Sequence, residues 1–300
     1  MELWIPITIA AAFGQNLRSA LQKAIKDRLS TGGATYSRFV YAVPFALIYL
    51  AALVMVTGVE LPEPNPRFFI FGAIGGLAQI LATFLLVHLF SYRNFAVGNA
   101  YSKTETVQTA LVGIVILGDP ITAGVGLAIG VSLIGVLALS VAKGQVTAKG
   151  LVTGLADRAT LIGVFSGTMF GVSAVSYRAA SLSLGGPDPI TQAAFTLACV
   201  TIFQTVVMGV WLRAIEPGEL TRVTKEWKFA GLVGLTGMAA SACWFTAMTL
   251  QNAAYVRALG QIELVFTFIA STLFFREKSN AIEIFGIVLI VSGILMLVLQ

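Results

Sequence analysis

Charge is what this 300-residue sequence has least of: 11% of its residues are Asp, Glu, Lys or Arg, where a soluble domain has about 25%. Acids are scarcer still, fourteen in all, and there is a single histidine. With 57% hydrophobic residues and a mean hydropathy of +0.88, too little polar surface exists to clothe a water-soluble globule. Disordered, collagen-like and coiled-coil classes fall with it. The two cysteines, Cys199 and Cys243, lie in apolar stretches, so neither a disulfide framework nor a Cys/His metal cluster is expected. The sequence lacks a GxxxxGK[ST] phosphate loop and an HExxH pair, so no nucleotide-driven pump, no cofactor and no metal are expected. The net charge of +5 comes without a basic cluster interleaved with aromatics, which excludes a nucleic-acid partner. The start, MELWIPITIAAAFG, has no basic leader and reads as the beginning of a first helix.

What is present is long apolar runs. A membrane helix needs about 20 mostly apolar residues. Ten such runs are expected, near 3–25, 32–57, 67–90, 96–117, 120–142, 159–183, 189–213, 227–250, 253–275 and 279–299. Short breakers separate them, among them Thr31-Gly32-Gly33, Asp119-Pro120 and Pro217-Gly218. The fold class is an all-α polytopic membrane protein with no extramembrane domain.

The chain also repeats itself. Residues 71–140 laid without a gap on 229–298 match Gly76 to Gly234, Asn94 to Asn252, Glu105 to Glu263 and Gly135 to Gly293. A shared Glu is informative where acids are so few. The predicted organisation is a first five-helix repeat at 1–142, an inter-repeat loop at 143–158 and a second five-helix repeat at 159–300. Five is odd, so the second half must run through the membrane inverted relative to the first, an arrangement typical of secondary transporters. Ten helices in two such halves, the Phe13-Gly14 of the first helix, the 96–119 helix ending in Gly-Asp-Pro and the Gly-rich fifth and tenth helices resemble the drug/metabolite transporter superfamily, EamA type. The resemblance implies a transporter; members of the superfamily move amino acids, choline, sugar phosphates and other metabolites.

Thirteen Lys and Arg lie at or near the odd-numbered loops and only Arg67 borders an even-numbered one. Positive residues mark the cytoplasmic side, so the odd loops are expected in the cytoplasm and both termini outside, in a bacterial cytoplasmic membrane.

Polar groups inside spans mark functional paths. Glu105 and Glu263 are the acids well inside, at equivalent repeat positions, suited to binding a cationic group or carrying a coupling proton. Five cations share the interior: Arg18, Arg38, Lys103, Arg178 and Arg257. That excess favours a substrate with a carboxylate or phosphate, to which Arg presents a bidentate fork. Arg18 is the best placed, on a polar stripe of Gln15, Arg18, Ser19 and Gln22, with Asn16 adjoining. Pairing with Glu105 or Glu263 is the structural alternative for Arg18. Arg38, Arg178 and Arg257 lie near span ends, where snorkelling is expected. Lys103 and Glu105 stand about 200° apart on a regular helix, so only one of them, Glu105, is assigned to a central cavity. Tyr101 and Trp244 are candidate pocket walls; Gln261 occupies the repeat position of Lys103; Gln79 sits on a small-residue face with Gly72, Gly76 and Thr83 that suits a close helix crossing. His88 is expected to be interfacial.

These residues predict no enzyme but a secondary transporter of a small polar metabolite, an amino-acid-like zwitterion or carboxylate, working by alternating access with proton coupling open to it. Its partners are the substrate, the lipid bilayer and protons, in a monomer or weak dimer. A transporter of cationic amines such as choline is the alternative of the same class, and a membrane-embedded lipid-modifying enzyme the alternative of another.

Overall fold

The computed structural model describes residues 2–89, 102–142, 158–186, 188–273 and 280–299, and within them every regular element is a helix. In chain order these are α1 Trp4–Ile25, α2 Thr31–Val40, α3 Ala42–Thr57, α4 Pro66–Leu89, α5 Glu105–Leu117, α6 Ala123–Ala142, α7 Arg158–Ser183, α8 Pro189–Ile215, α9 Glu219–Lys225, α10 Trp227–Leu250, α11 Ala253–Gly260, α12 Ile262–Leu273 and α13 Ala281–Val298. Seven stretches among the described residues are long and apolar enough to cross a membrane: Thr31–Thr57, Pro66–Leu89, Ala123–Val141, Arg158–Ser183, Pro189–Ile215, Trp227–Leu250 and Ala281–Val298. The expected spans outside that set each have a reason. α1 carries the polar stripe, the span expected at 96–117 is described only from Ser102 with its helix α5 starting at Glu105, and the stretch expected at 253–275 is interrupted at Gln261.

Helix ends follow local chemistry. Asp188 accepts from the backbone N–H groups of Ile190 and Thr191, with Pro189 at the first helical position of α8. Ser30 caps α2, Asn252 caps α11, and Asn280 with Glu283 forms a reciprocal capping box on α13. The second expected span is two helices rather than one. Pro44 lacks the N–H that would bond the Val40 carbonyl, and the chain breaks at Tyr41. Gly234 of α10 lies against the Tyr41 backbone at that break. The short α9 was not expected; it lies in the stretch between the seventh and eighth expected spans, with its Val223 buried against the body of the protein.

Three long pairs organise the packing: α1 along α10, α4 along α7, and α6 along α13. Thr31–Thr57 and Pro189–Ile215 each have 27 residues and lie 158 apart at both ends. Ala123 of α6 and Ala281 of α13 begin their helices at the same offset of 158. Where α6 crosses α13 the backbones nearly touch: a Cβ on Gly135 would stand 2.6 Å from the Gly286 carbonyl oxygen. Small residues permit this approach, the way membrane helices associate without a hydrophobic driving force. The outside is apolar, with Val115, Val210, Leu111 and Ile134 exposed, while Arg18, Arg38, Arg257, Gln204 and Glu263 are buried. That inversion of the usual order is what a hydrocarbon solvent selects.

Candidate polar site between α1, α5, α10 and α11–α12

Two interruptions place the central charges. α5 begins at Glu105 after a turn at Lys103 and Thr104, and α12 begins at Ile262 after the turn at Gln261, so Glu105 and Glu263 both stand in the first turn of a helix. Carboxylates there meet the positive end of the helix dipole. At the second interruption the Gln261 N–H bonds Ala258 O at 3.2 Å and the Leu264 N–H bonds Gln261 O at 3.0 Å, tight 3₁₀-type links in place of α-helical ones.

The interruptions allow a crossed pair of ion bridges. Lys103 Nζ bonds Glu263 Oε1, and Arg257 Nη1 lies 3.5 Å from Glu105 Oε1. Each bridge runs from α5 or the turn before it to α11 or α12, and each uses one cation and one acid from opposite sides. Gln15 Nε2 of α1 also donates to Glu263, at 3.4 Å. Lys103 is therefore not turned away from the layer that holds Glu105. The 200° separation applies to an unbroken helix, and here the chain is in a turn at Lys103. Nor does Arg257 snorkel: it is 7% exposed, its guanidinium 4.8 Å from the Trp244 ring centroid. Gln261 Nε2 donates to Thr106 Oγ1 of α5 at 2.9 Å. Three buried polar atoms in this layer have no partner among the described residues: Trp244 Nε1, Arg257 Nε and Gln261 Oε1.

α10 continues the layer towards a second cationic group. Gly14 of α1 meets Ala240, and a Cβ on Gly237 would stand 3.3 Å from Arg18 Cδ and 3.5 Å from Arg38 Cγ. Arg18 is buried and bonds Gln22 Oε1 at 3.0 Å and Ser19 Oγ at 3.2 Å, so among the described residues it pairs with neither Glu105 nor Glu263. Gln22 in turn donates to the Ala34 carbonyl, tying α1 to α2. Arg38 is also buried rather than snorkelling, and donates to Thr83 Oγ1 at 2.8 Å. Four buried or half-buried cations (Arg18, Arg38, Lys103, Arg257) thus face two acids (Glu105, Glu263), leaving two positive charges without an acidic partner among the described residues.

Gln79 belongs to a different group. Its Oε1 accepts from the Tyr177 hydroxyl at 2.9 Å and from Gln204 Nε2 at 2.8 Å, binding α4, α7 and α8. The adjacent glycines admit rings rather than a bare helix: Gly75 faces Tyr177 and Gly76 faces Phe203. A cavity of about 10 Å³ beside Gln79, Arg38 and Ser241 has room for about one water. Arg178 is structural, 3.5 Å from Asp119 and donating to the terminal carbonyls of α10 at Met248 and Gln251. His88 is half-buried and stacks on Phe84.

Of the residues expected from sequence, Gln15, Glu105, Trp244, Gln261 and Glu263 share one layer, Asn16 is half-buried on α1 beside them, Arg18 stands next to that layer, and Gln79 lies outside it. Tyr101 lies outside the described residues. Lys103, Arg257 and Thr106 were missed as members. The i, i+4 spacing of Arg257 and Gln261 was the available signal for one of them.

Comparison with known proteins agrees with this architecture. The family model of EamA-like transporters matches residues 158–299. An uncharacterized transporter in the cobO 3′ region of a Sinorhizobium species is 31% identical over 102 residues, 34% of this chain and 68% of that one. A protein of known crystal structure, 16% identical, superposes with a TM-score of 0.70 over 99% of this chain and 97% of its own, a likeness of fold. Both sequence matches point to transport rather than to an enzyme. The chain belongs to the EamA-like transporter family of the drug/metabolite transporter superfamily.

Proposed function

We propose that this membrane transporter has ten spans in two inverted five-span halves and moves a small polar metabolite carrying a carboxylate, an amino-acid-like zwitterion or a related acid, by alternating access. The packing supports the inverted reading: exchanging first with sixth and third with eighth spans turns the pair α1–α10 into α7–α4 and leaves α6–α13 in place. The observation that carries the substrate class is the layer between α5, α10 and α11, where three buried polar atoms lack partners among the described residues, with two further buried cations, Arg18 and Arg38, beyond the two ion pairs. Arg257 Nε–H and Trp244 Nε1–H offer two donors to a carboxylate, and Gln261 Oε1 offers an acceptor to an ammonium or hydroxyl group. A polar ligand bearing both would satisfy all three atoms, each of which otherwise costs about 1–3 kcal/mol.

A cationic amine fits less well, because the Trp244 face that would cover it already holds Arg257. Proton coupling would use Glu105 or Glu263, each able to exchange its cation for a proton as the halves rock. The charge bias of the loops supports insertion into a bacterial cytoplasmic membrane with both termini outside. A C-terminal reporter active only outside the cytoplasm tests that orientation and should be active.

The function is tested by uptake into proteoliposomes over a panel of amino acids, hydroxy acids, dicarboxylates and choline. Saturable movement of a carboxylate-bearing solute, trans-stimulated by the same solute inside, is expected. Movement of choline alone would transfer the assignment to amines, and turnover of a lipid without solute flux would overturn transport.

A further inference from the structure

At the end of the molecule where α1 finishes and α10 starts, an open groove of about 480 Å³ lies between Arg28 and the segment from Lys225 to Leu232. It shares none of the residues of the charged layer. Its mouth is cationic: Arg28, Lys225 and Lys228 are exposed there, and the single acid, Glu226, is already held by Arg28 Nη1 at 2.9 Å. Among the described residues Lys225 and Lys228 have no acidic partner. Two positive charges are therefore presented to whatever enters.

The groove is amphipathic in the right direction. Trp227, 59% exposed, stands at its rim with Lys228 Nζ 5.9 Å from its ring centroid, the position aromatic side chains take at a membrane interface. Leu232 lines the inner end, and Leu235 lies one turn further along the same outward face of α10; both are exposed. The walls are braced, so the shape does not depend on free side chains. Arg222 Nη2 donates to Arg28 O at 2.8 Å, Ser30 N–H to Glu219 Oε1 at 2.6 Å, and the Tyr41 hydroxyl to Val223 O at 3.1 Å.

We infer that this groove binds an anionic phospholipid, its phosphate between Lys225, Lys228 and Arg28 and an acyl chain along Leu232 and Leu235. Basic pockets at the ends of membrane helices recognise such headgroups by charge, and here the apolar continuation requires that the phosphate arrive on a lipid. A lipid seated there bridges the end of α1 to the start of α10, the two helices that carry Arg18 and Trp244, and braces the pair from outside.

The test uses the full chain purified in neutral detergent. Its melting midpoint is followed with phosphatidylglycerol, with phosphatidylcholine of the same acyl chains, with glycerol phosphate and with inorganic phosphate, since a ligand of the folded state raises stability. Phosphatidylglycerol should raise the midpoint and the other three should not. The double variant Lys225→Gln/Lys228→Gln should weaken the lipid's half-saturating concentration about 30-fold, at about 1 kcal/mol for each lysine. Arg213→Gln, which removes an exposed cation elsewhere, should leave it unchanged, and Lys225→Arg/Lys228→Arg should retain it. Equal stabilisation by phosphatidylcholine, a rise with inorganic phosphate alone, or an equal loss in Arg213→Gln would overturn the assignment.

Discussion

Helix α6 contains no charged side chain and α13 only Glu283, in its capped first turn, whereas α5 meets α11 and α12 through two ion bridges. The first pair is held by backbone approach at Gly135 and Gly286. The second holds buried charges that insertion scales price at roughly 2.5–3.5 kcal/mol each at a helix centre. Ion pairs buried in this way are often no more stabilising than apolar packing of the same volume. The contrast separates a region shaped for cohesion from one whose composition calls for another explanation, and the carboxylate-bearing substrate proposed above would supply it.

The largest effect should come from breaking the cohesive pair. Gly135→Leu places side-chain atoms where the Gly286 carbonyl oxygen now sits, so α6 and α13 must separate. The expected cost is at or above the upper end of about 1–3 kcal/mol for overpacking, read as loss of the monodisperse folded species in detergent. A variant that keeps its melting midpoint would show that this crossing is not close.

Next comes the charged pair. Glu105→Gln leaves Arg257 without its acid, and Arg257→Met leaves Glu105 without its cation, so each alone should fold at reduced stability. The double variant should recover much of the loss, with a coupling of about 0.5–3 kcal/mol by thermal unfolding. Transport should stay absent in all three. Recovery of transport along with stability would make this bridge structural and dissolve the contrast with α6 and α13.

How much of this was legible beforehand divides along the same line. Apolar length and breaker residues placed α4, α7, α8 and α10 within a few residues of their bounds, because hydropathy and capping are local properties. The break at Tyr41 carried its own mark in Pro44, which was overlooked. The interruption at Gln261 and the turn at Lys103 and Thr104 carried none, since neither involves proline. They go with tertiary bonds, Gln261 to Thr106 and Lys103 to Glu263, that no spacing rule contains. Equivalent Glu105 and Glu263 were therefore found by repetition, while Lys103 was turned away by assuming a regular helix and Arg257 was assigned to the membrane interface from its place near a span end. Arg18 was ranked first on its stripe, yet its fork is occupied by Gln22 and Ser19.

That last point gives a smaller, sharpening prediction. Arg18→Lys keeps the charge beside the layer but loses one of two neutral hydrogen-bond partners. Stability should fall by about 0.5–1.5 kcal/mol and the half-saturating substrate concentration should change less than in any Arg257 variant. A larger loss of substrate affinity than of stability would return Arg18 to direct contact. Smallest of all on transport should be Gln79→Leu: it disturbs the Tyr177 and Gln204 network and lowers the melting midpoint, with uptake affinity preserved.

The most direct measurement is ligand binding to Trp244→Phe. This change keeps an aromatic ring for Arg257 and removes the Nε1–H, a buried donor without a partner among the described residues, together with the second ring of the indole. Isothermal titration should be run on the wild type and the variant with the amino or hydroxy acid that most raises the wild-type melting midpoint. The account predicts an unligated midpoint lowered by the smaller ring and, in the folded protein, a binding constant weakened about tenfold, the loss of roughly one hydrogen bond to a charged group. Equal affinity in the two proteins, or no carboxylate-bearing solute that stabilises the wild type at all, would contradict it.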